Sequence, residues 1–80
     1  MFFVYILWSS KWSRYYVGQT KNIEDRLKRH NDGLVSSTCG GSPWKIVYTN
    51  SVSSRKEAVL LEKKIKGRGA KRFLEIINNG

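Results

Sequence analysis

The sequence predicts a small α+β fold: a three-stranded, mainly antiparallel sheet packed with helices, in the order β-β-α-β-α-α. Three observations lead there. Two aromatic and β-branched runs stand close together near the start, separated by turn-forming residues. A third such run lies alone in mid-chain, and the segments on either side of it carry helix caps and apolar residues at helical spacing. The length, 80 residues, suits one compact domain, 1–80, and is too short for two, since domains usually run to about 100 residues. A chain of this size buries only roughly 60% of its unfolded surface, so large aromatics make an economical core.

The first strand is read at residues 2–8, Phe-Phe-Val-Tyr-Ile-Leu-Trp, apolar throughout and therefore covered on both faces. Its partner is Arg14-Tyr15-Tyr16-Val17-Gly18. Ser9-Ser10-Lys11-Trp12 can form a four-residue hairpin loop, which sets Trp8 opposite Ser13 and Tyr5 directly opposite Tyr16 on one face, about 5 Å apart at Cβ. Thr20 or Asn22 can cap the first helix, whose first turn carries Glu24 and Asp25 and which Gly33 stops. Ile23 and Leu27 mark its buried stripe, and Arg26 and His30, four apart, are neighbours on one side of it. Residues 34–43 are rich in Ser, Thr and Gly and read as a surface loop; residues 44–49 form the third strand. Ser54 and Glu57 match a capping box opening a second helix with Ala58, Leu61 and Ile65 as its apolar stripe and Glu62 on the stripe's edge. After a break at Gly67-Arg68-Gly69 comes a short third helix, 71–77.

Charge narrows the function. Fifteen Lys plus Arg against six Asp plus Glu leave a net charge of +9 on 9.3 kDa, and the resulting self-repulsion favours a polyanionic partner. Lys63, Lys64, Lys66, Arg68, Lys71 and Arg72 crowd into ten positions. Dispersed Lys and Arg suit nucleic acid, where phosphate neutralisation releases counterions, and Lys63, Lys66, Arg68, Lys71 and Arg72 are the candidate contacts. A membrane fits less well: no basic amphipathic stretch gathers aromatics on one face, and no run approaches the ~20 apolar residues of a span. Cys39 is alone, which excludes an internal disulfide or a thiolate metal cage and suits a reducing cytoplasm.

Single chemical signals are weak. A Tyr5/Tyr16 pair stabilises a hairpin by itself, and His30 beside Arg26 reads equally as a surface pair. Glu62 is more informative, because a carboxylate at a core edge needs a cation; Arg26 or a divalent ion could supply it.

Together these residues resemble a family. Phe3-Val4-Tyr5, ten intervening residues and Tyr16-Val17-Gly18 are similar to the paired signatures that name the GIY-YIG nucleases. The likeness continues at Arg26, His30, Thr38, Pro43-Trp44 and Ala58-Val59-Leu60-Leu61-Glu62, and so spans nearly the whole chain. It is closest to small standalone bacterial members and to the catalytic domain of Slx-type endonucleases. Phe3 replaces the first motif's glycine. Longer members carry a late asparagine near the active site; only Asn78 and Asn79 stand near this end, and neither is given a role.

The resemblance implies DNA hydrolysis, in repair or recombination, with one divalent ion, Mg2+ or Mn2+, held by Glu62. Magnesium takes few protein ligands and keeps several waters, which suits a single carboxylate. Arg26 would stabilise charge on the phosphate, Tyr5 would activate the attacking water, and Tyr16 and His30 would position it or relay its proton, with the site's cations favouring phenolate. Gly18 would either admit close backbone approach to the substrate or simply kink the strand end. Tyr5, Tyr16, Arg26, His30 and Glu62 should then converge on one concave, basic-rimmed surface. Two other classes compete: a non-catalytic DNA- or RNA-binding module that uses the basic run with Trp12 and Tyr15, and a basic accessory protein docked on ribosomal RNA or a protein partner. With no separate targeting segment read, selectivity would come from residues 36–42, the basic run or a partner protein.

Overall fold

The computed structural model describes residues 1–79, with the side chain of Asn79 and all of Gly80 outside the described residues. The elements follow the predicted order: β1 (Phe2–Ser9), β2 (Arg14–Thr20), α1 (Ile23–Asn31), β3 (Trp44–Val52), α2 (Arg55–Arg68) and α3 (Ala70–Asn79). β1 lies at the centre of the sheet, antiparallel to both neighbours, in the order β2-β1-β3. Its period-two alternation divides the core. Val4 and Ile6 pack with Val17 against Ala58 and Ile65 of α2 and Phe73 of α3. Tyr5 and Leu7 point the other way and pack with Trp44, Tyr16 and Ile46 against Ile23 and Leu27 of α1. Both faces of β1 are thus covered, as its unbroken apolar run predicts, and each fully buried aliphatic side chain contributes about 1.5–3 kcal/mol. Among the described residues no helix is long and apolar enough to cross a membrane.

The hairpin differs from expectation by one step. Its loop is 10–13, so Ser9 pairs with Arg14, Trp8 with Tyr15 and Tyr5 with Gly18 rather than Tyr16. Ser9 causes the slide. It is buried, its Oγ donates to the Gly41 carbonyl at 2.6 Å and accepts from the Trp12 N–H at 3.1 Å, and this holds it in the strand. Ser13, at φ +51°, then closes the turn. Moving the loop by one residue changes the partner by two, which preserves the face each side chain occupies. Tyr5 and Tyr16 therefore stay on one face as a diagonal pair.

The helix ends follow their caps. Asn22, not Thr20, caps α1, its Oδ1 accepting from the Asp25 N–H at 3.0 Å, and Gly33 at φ +75° follows the helix end. Ser54 Oγ accepts from the Glu57 N–H at 3.2 Å, while the Glu57 carboxylate reaches back one residue further than a simple capping box, to Ser53. α2 continues through Gly67 and Arg68 and breaks at Gly69 alone, where φ is +89°.

Candidate active site

Tyr5 projects from the central strand and Tyr16 from the edge strand, with ring centroids 6.4 Å apart. The residue opposite Tyr5 has to be glycine. A Cβ at Gly18 would lie 2.6 Å from the Tyr5 hydroxyl and 2.8 Å from Cζ, so the phenol lies across the bare backbone of β2. What approaches this glycine closely is the protein's own tyrosine, which neither sequence reading of Gly18 anticipated.

Behind Tyr5 a hydrogen-bonded chain runs inward. Its hydroxyl lies 3.1 Å from His30 Nε2, and His30 Nδ1 lies 2.7 Å from Thr38 Oγ1. The Thr38 hydroxyl donates to the Val35 carbonyl at 3.3 Å. With its one proton so placed, Thr38 accepts from His30 Nδ1–H, which leaves Nε2 to accept from the Tyr5 O–H. His30 is not the surface neighbour of Arg26 that its spacing suggested: it is 1% exposed. Burial, and then the nearby Arg26 charge, hold its pKa below the usual histidine value, so the imidazole is neutral. The loop read as plain surface is pinned here: Trp44 Nε1 donates to the Thr38 carbonyl, and Asn31 brackets the Trp44 backbone, accepting its N–H at 2.6 Å and donating to its C=O at 3.2 Å.

Burial pushes the Tyr5 phenol up to about 12, and Tyr16 adds to the rise. The charge and hydrogen bonding of Arg26 pull the other way, and Glu62 raises the pKa slightly. The expectation that the site's cations favour phenolate is therefore not met by the protein's own groups. Desolvation wins over the one guanidinium.

Glu62 comes from the other layer. Four of the five site residues come from the α1 side of the sheet and Glu62 from α2, which packs on the other side. They approach each other around the free edge of β2. There Gln19, next to Gly18, donates its Nε2 to Glu62 Oε1 at 3.1 Å, and from this edge the Glu62 charge acts on Tyr5. Lys66, one turn along α2, lies 2.6 Å from Glu62 Oε2. Lys66 and Gln19, not Arg26, are the partners Glu62 finds in the protein.

The basic candidates Lys63, Lys66, Arg68, Lys71 and Arg72 are all exposed. Lys66 and Lys71 border an open groove of about 530 Å³ floored by Tyr15, Tyr16, Val17 and Ala70. Tyr15 packs against Trp8 with centroids 4.7 Å apart and ring planes tilted by 49°, and Trp12 meets Trp44 edge-on at 6.0 Å, so both keep only part of a ring free for a ligand. Asn78 is exposed near the end of α3, and the side chain of Asn79 lies outside the described residues.

A single hard carboxylate is the kind of donor that magnesium accepts while keeping water in its other positions. Among the described residues no three His, Cys, Asp or Glu converge. Glu62 offers one carboxylate, and the Gln19 amide that donates to it through Nε2 leaves its own Oε1 buried without a hydrogen-bond partner. Gln19 escaped the sequence reading; the available signal was its place two residues after buried Val17, on the side of the sheet that α2 covers.

The family model described as the GIY-YIG catalytic domain matches residues 1–74. A UPF0213 protein of Clostridium perfringens is 36% identical over 80 residues, covering 99% of this chain and 85% of its own length. A UPF0213 protein of Bacillus licheniformis is 39% identical over 64 residues, covering 75% of this chain and 66% of that relative, just under two thirds of its length. The solution structure of a UPF0213 protein from Bacillus halodurans superposes with a TM-score of 0.58 at 29% identity, over 98% of this chain and 84% of that one.

Proposed function

The chain belongs to the GIY-YIG family of nuclease domains, and on that premise we propose that it is a metal-dependent endonuclease that hydrolyses phosphodiester bonds in DNA, in repair or recombination. The observation that carries the reading is the Tyr5–His30–Thr38 chain beside Arg26. It places a phenolic oxygen, a neutral imidazole that can accept the phenol's proton, and a fixed cation within one small region.

The geometry supports a relay rather than a free phenolate. As Tyr5 takes a proton from the attacking water, its own proton passes to His30 Nε2, and Thr38 holds the ring in the accepting tautomer. No phenolate accumulates, which suits a phenol whose pKa stands at about 12. Tyr16, half-buried between the Tyr5 ring and the groove, positions the water and the strand. Arg26 offers planar N–H donors to the phosphate as negative charge builds. Glu62 would hold Mg2+ or Mn2+, and the ion when bound would supply a Lewis-acid centre for charge on the phosphate and the leaving oxygen. Lys63, Lys66, Arg68, Lys71 and Arg72 would bind the backbone of the nucleic acid.

One observation favours an idle, purely binding site: both Glu62 oxygens are engaged within the protein. A single experiment separates the readings. Nicking of supercoiled and branched DNA is measured with Mg2+ or Mn2+ and with chelator, for wild type and Glu62→Gln. The nuclease reading expects metal-dependent cleavage that Glu62→Gln abolishes while DNA binding is retained or slightly tighter, since a negative charge has left an anion site. Metal-independent cleavage, or Glu62→Gln as active as wild type, would overturn it.

A further inference from the structure

We infer that Gln19 is a second protein ligand for the divalent ion, coordinating through its side-chain oxygen beside Glu62. The inference rests on the proposed function and extends it to a residue that neither the sequence motifs nor the family likeness assigns.

The amide is frustrated in both of its orientations. With Nε2 toward Glu62 Oε1 at 3.1 Å, the carboxylate is satisfied but Oε1 is left buried with no partner. An unpaired buried acceptor costs about 1–3 kcal/mol. With the amide turned over, Oε1 would face Glu62 Oε1 across the same gap. Two acceptors at that separation repel each other unless a cation lies between them. Turning the amide over exchanges two groups of nearly equal size and carries Nε2 into the buried place that Oε1 now holds.

The spacing suits the ion. Magnesium binds oxygens at about 2.0–2.1 Å in an octahedron, which puts neighbouring oxygens about 2.9 Å apart. The 3.1 Å contact between the Gln19 amide and Glu62 is close to that edge. A carboxylate and an amide oxygen make a two-point hold where Glu62 alone would give one, and no other oxygen-bearing side chain hydrogen-bonds to Glu62 among the described residues. The position is also fixed. Gln19 pairs with Val4 of the central strand and follows Gly18, the residue over which Tyr5 lies. A ligand at this point ties the ion to the strand that carries the rest of the site.

Gln19 is the only glutamine in the 80 residues, so selective ¹⁵N-glutamine labelling gives one side-chain NH2 pair. Mg2+ titration should shift that pair, Mn2+ should broaden it, and Glu62→Ala should abolish both effects. Calorimetry with Mn2+ alone supplies the affinities. Gln19→Met keeps the shape and loses the oxygen, and should weaken Mn2+ binding by on the order of tenfold or more. Gln19→Glu restores an oxygen and should bind at least as tightly as wild type. Thermal unfolding of each variant checks that it is folded. If Gln19 only donates to Glu62, its removal frees a carboxylate lone pair, and Gln19→Met should bind Mn2+ as well as wild type or better. That result, or an NH2 pair that stays fixed while Glu62-dependent binding saturates, overturns the ligand role and leaves the nuclease reading intact. Absence of any Glu62-dependent metal binding overturns both.

Discussion

The cluster around His30 and the ridge where α2 meets α3 belong to opposite layers of one sheet and are built on opposite principles. In the cluster Tyr5, His30 and Thr38 are almost completely buried, and each polar atom of the chain that links them has a named partner. Its rings interlock, with Tyr16 4.9 Å from His30 and 6.4 Å from Trp44. On the ridge Lys63, Arg68, Lys71 and Arg72 stand in solvent, and among the described residues only Lys66 has a carboxylate partner there. A proton relay needs fixed geometry and low dielectric, which packing supplies. Attraction of a polyanion needs charge in water and tolerates motion. The edge of β2, with Gly18 facing one layer and Gln19 the other, is where the two constructions meet.

The sharpest way to break the comparison is to remove one hydroxyl from the rigid half. Tyr5→Phe retains the ring across Gly18 and severs the link to His30. The single-turnover cleavage rate should fall on the order of 10²-fold or more, as for loss of a general base. Tyr16→Phe should lose less, because the Tyr16 hydroxyl is not part of the chain to His30. Equal losses in the two variants would show that the relay through Tyr5 does not set the rate. DNA affinity should hardly change in either, since the basic ridge is untouched.

A smaller effect is expected from the ridge. Replacing Lys63, Arg68, Lys71 and Arg72 with Ala leaves Lys66 on Glu62 and should flatten the log-log salt dependence of duplex binding by about 0.9 for each phosphate the ridge no longer neutralises. With DNA at saturating concentration the cleavage rate should stay close to that of wild type. An unchanged slope would move the binding face away from α2 and α3, and a collapsed rate at saturation would mean that the ridge positions the substrate as well as attracting it.

The same division governs what the sequence disclosed. β1 was legible because a run such as Val4-Tyr5-Ile6-Leu7 has no polar side to expose, and the helices because Asn22, Ser54 and Gly33 are local signals read over a few residues. The hairpin register was not, since moving the loop from 9–12 to 10–13 leaves every side chain on its own face and so leaves the apolar pattern unchanged. Burial of His30 had one signal, its place at i+7 from Ile23 and i+3 from Leu27 on the buried stripe of α1, against which stood only its polar character; its partner Thr38 lies in a loop whose composition says only surface. Glu62 needed a cation, and its i to i+4 spacing to Lys66 on α2, with the acid on the N-terminal side, is the signal that pointed to Lys66 rather than to Arg26, distant in the chain. Gln19 was silent because its meaning depends on a helix residue 43 positions further on.

The smallest expected effect is on stability, and it tests whether the cluster is held neutral. His30 has a folded pKa below its ordinary value of about 6.5, so as pH falls below that value the unfolded chain takes up a proton that the folded one refuses. The His30 contribution is therefore fully present above about pH 6.5 and is lost as pH falls toward the folded value. Tyr5 works in the opposite sense. With its phenol up at about 12, the folded chain keeps a proton that the unfolded chain gives up from about pH 10, so stability falls as pH rises from about 10 to about 12. Between these limits neither group makes stability depend on pH. Urea midpoints measured from pH 5 to pH 12 should show a plateau with a shoulder on each side. His30→Gln should lower the plateau and flatten the acid shoulder, whereas Tyr5→Phe should flatten only the alkaline one. The ridge variant should keep both shoulders, because it leaves His30 and Tyr5 in place. An acid shoulder that survives His30→Gln would have another origin and leave His30 free to carry charge in the folded protein. The relay would then lose its acceptor at Nε2, and the neutral, buried construction that sets this cluster apart from the ridge would have to be abandoned.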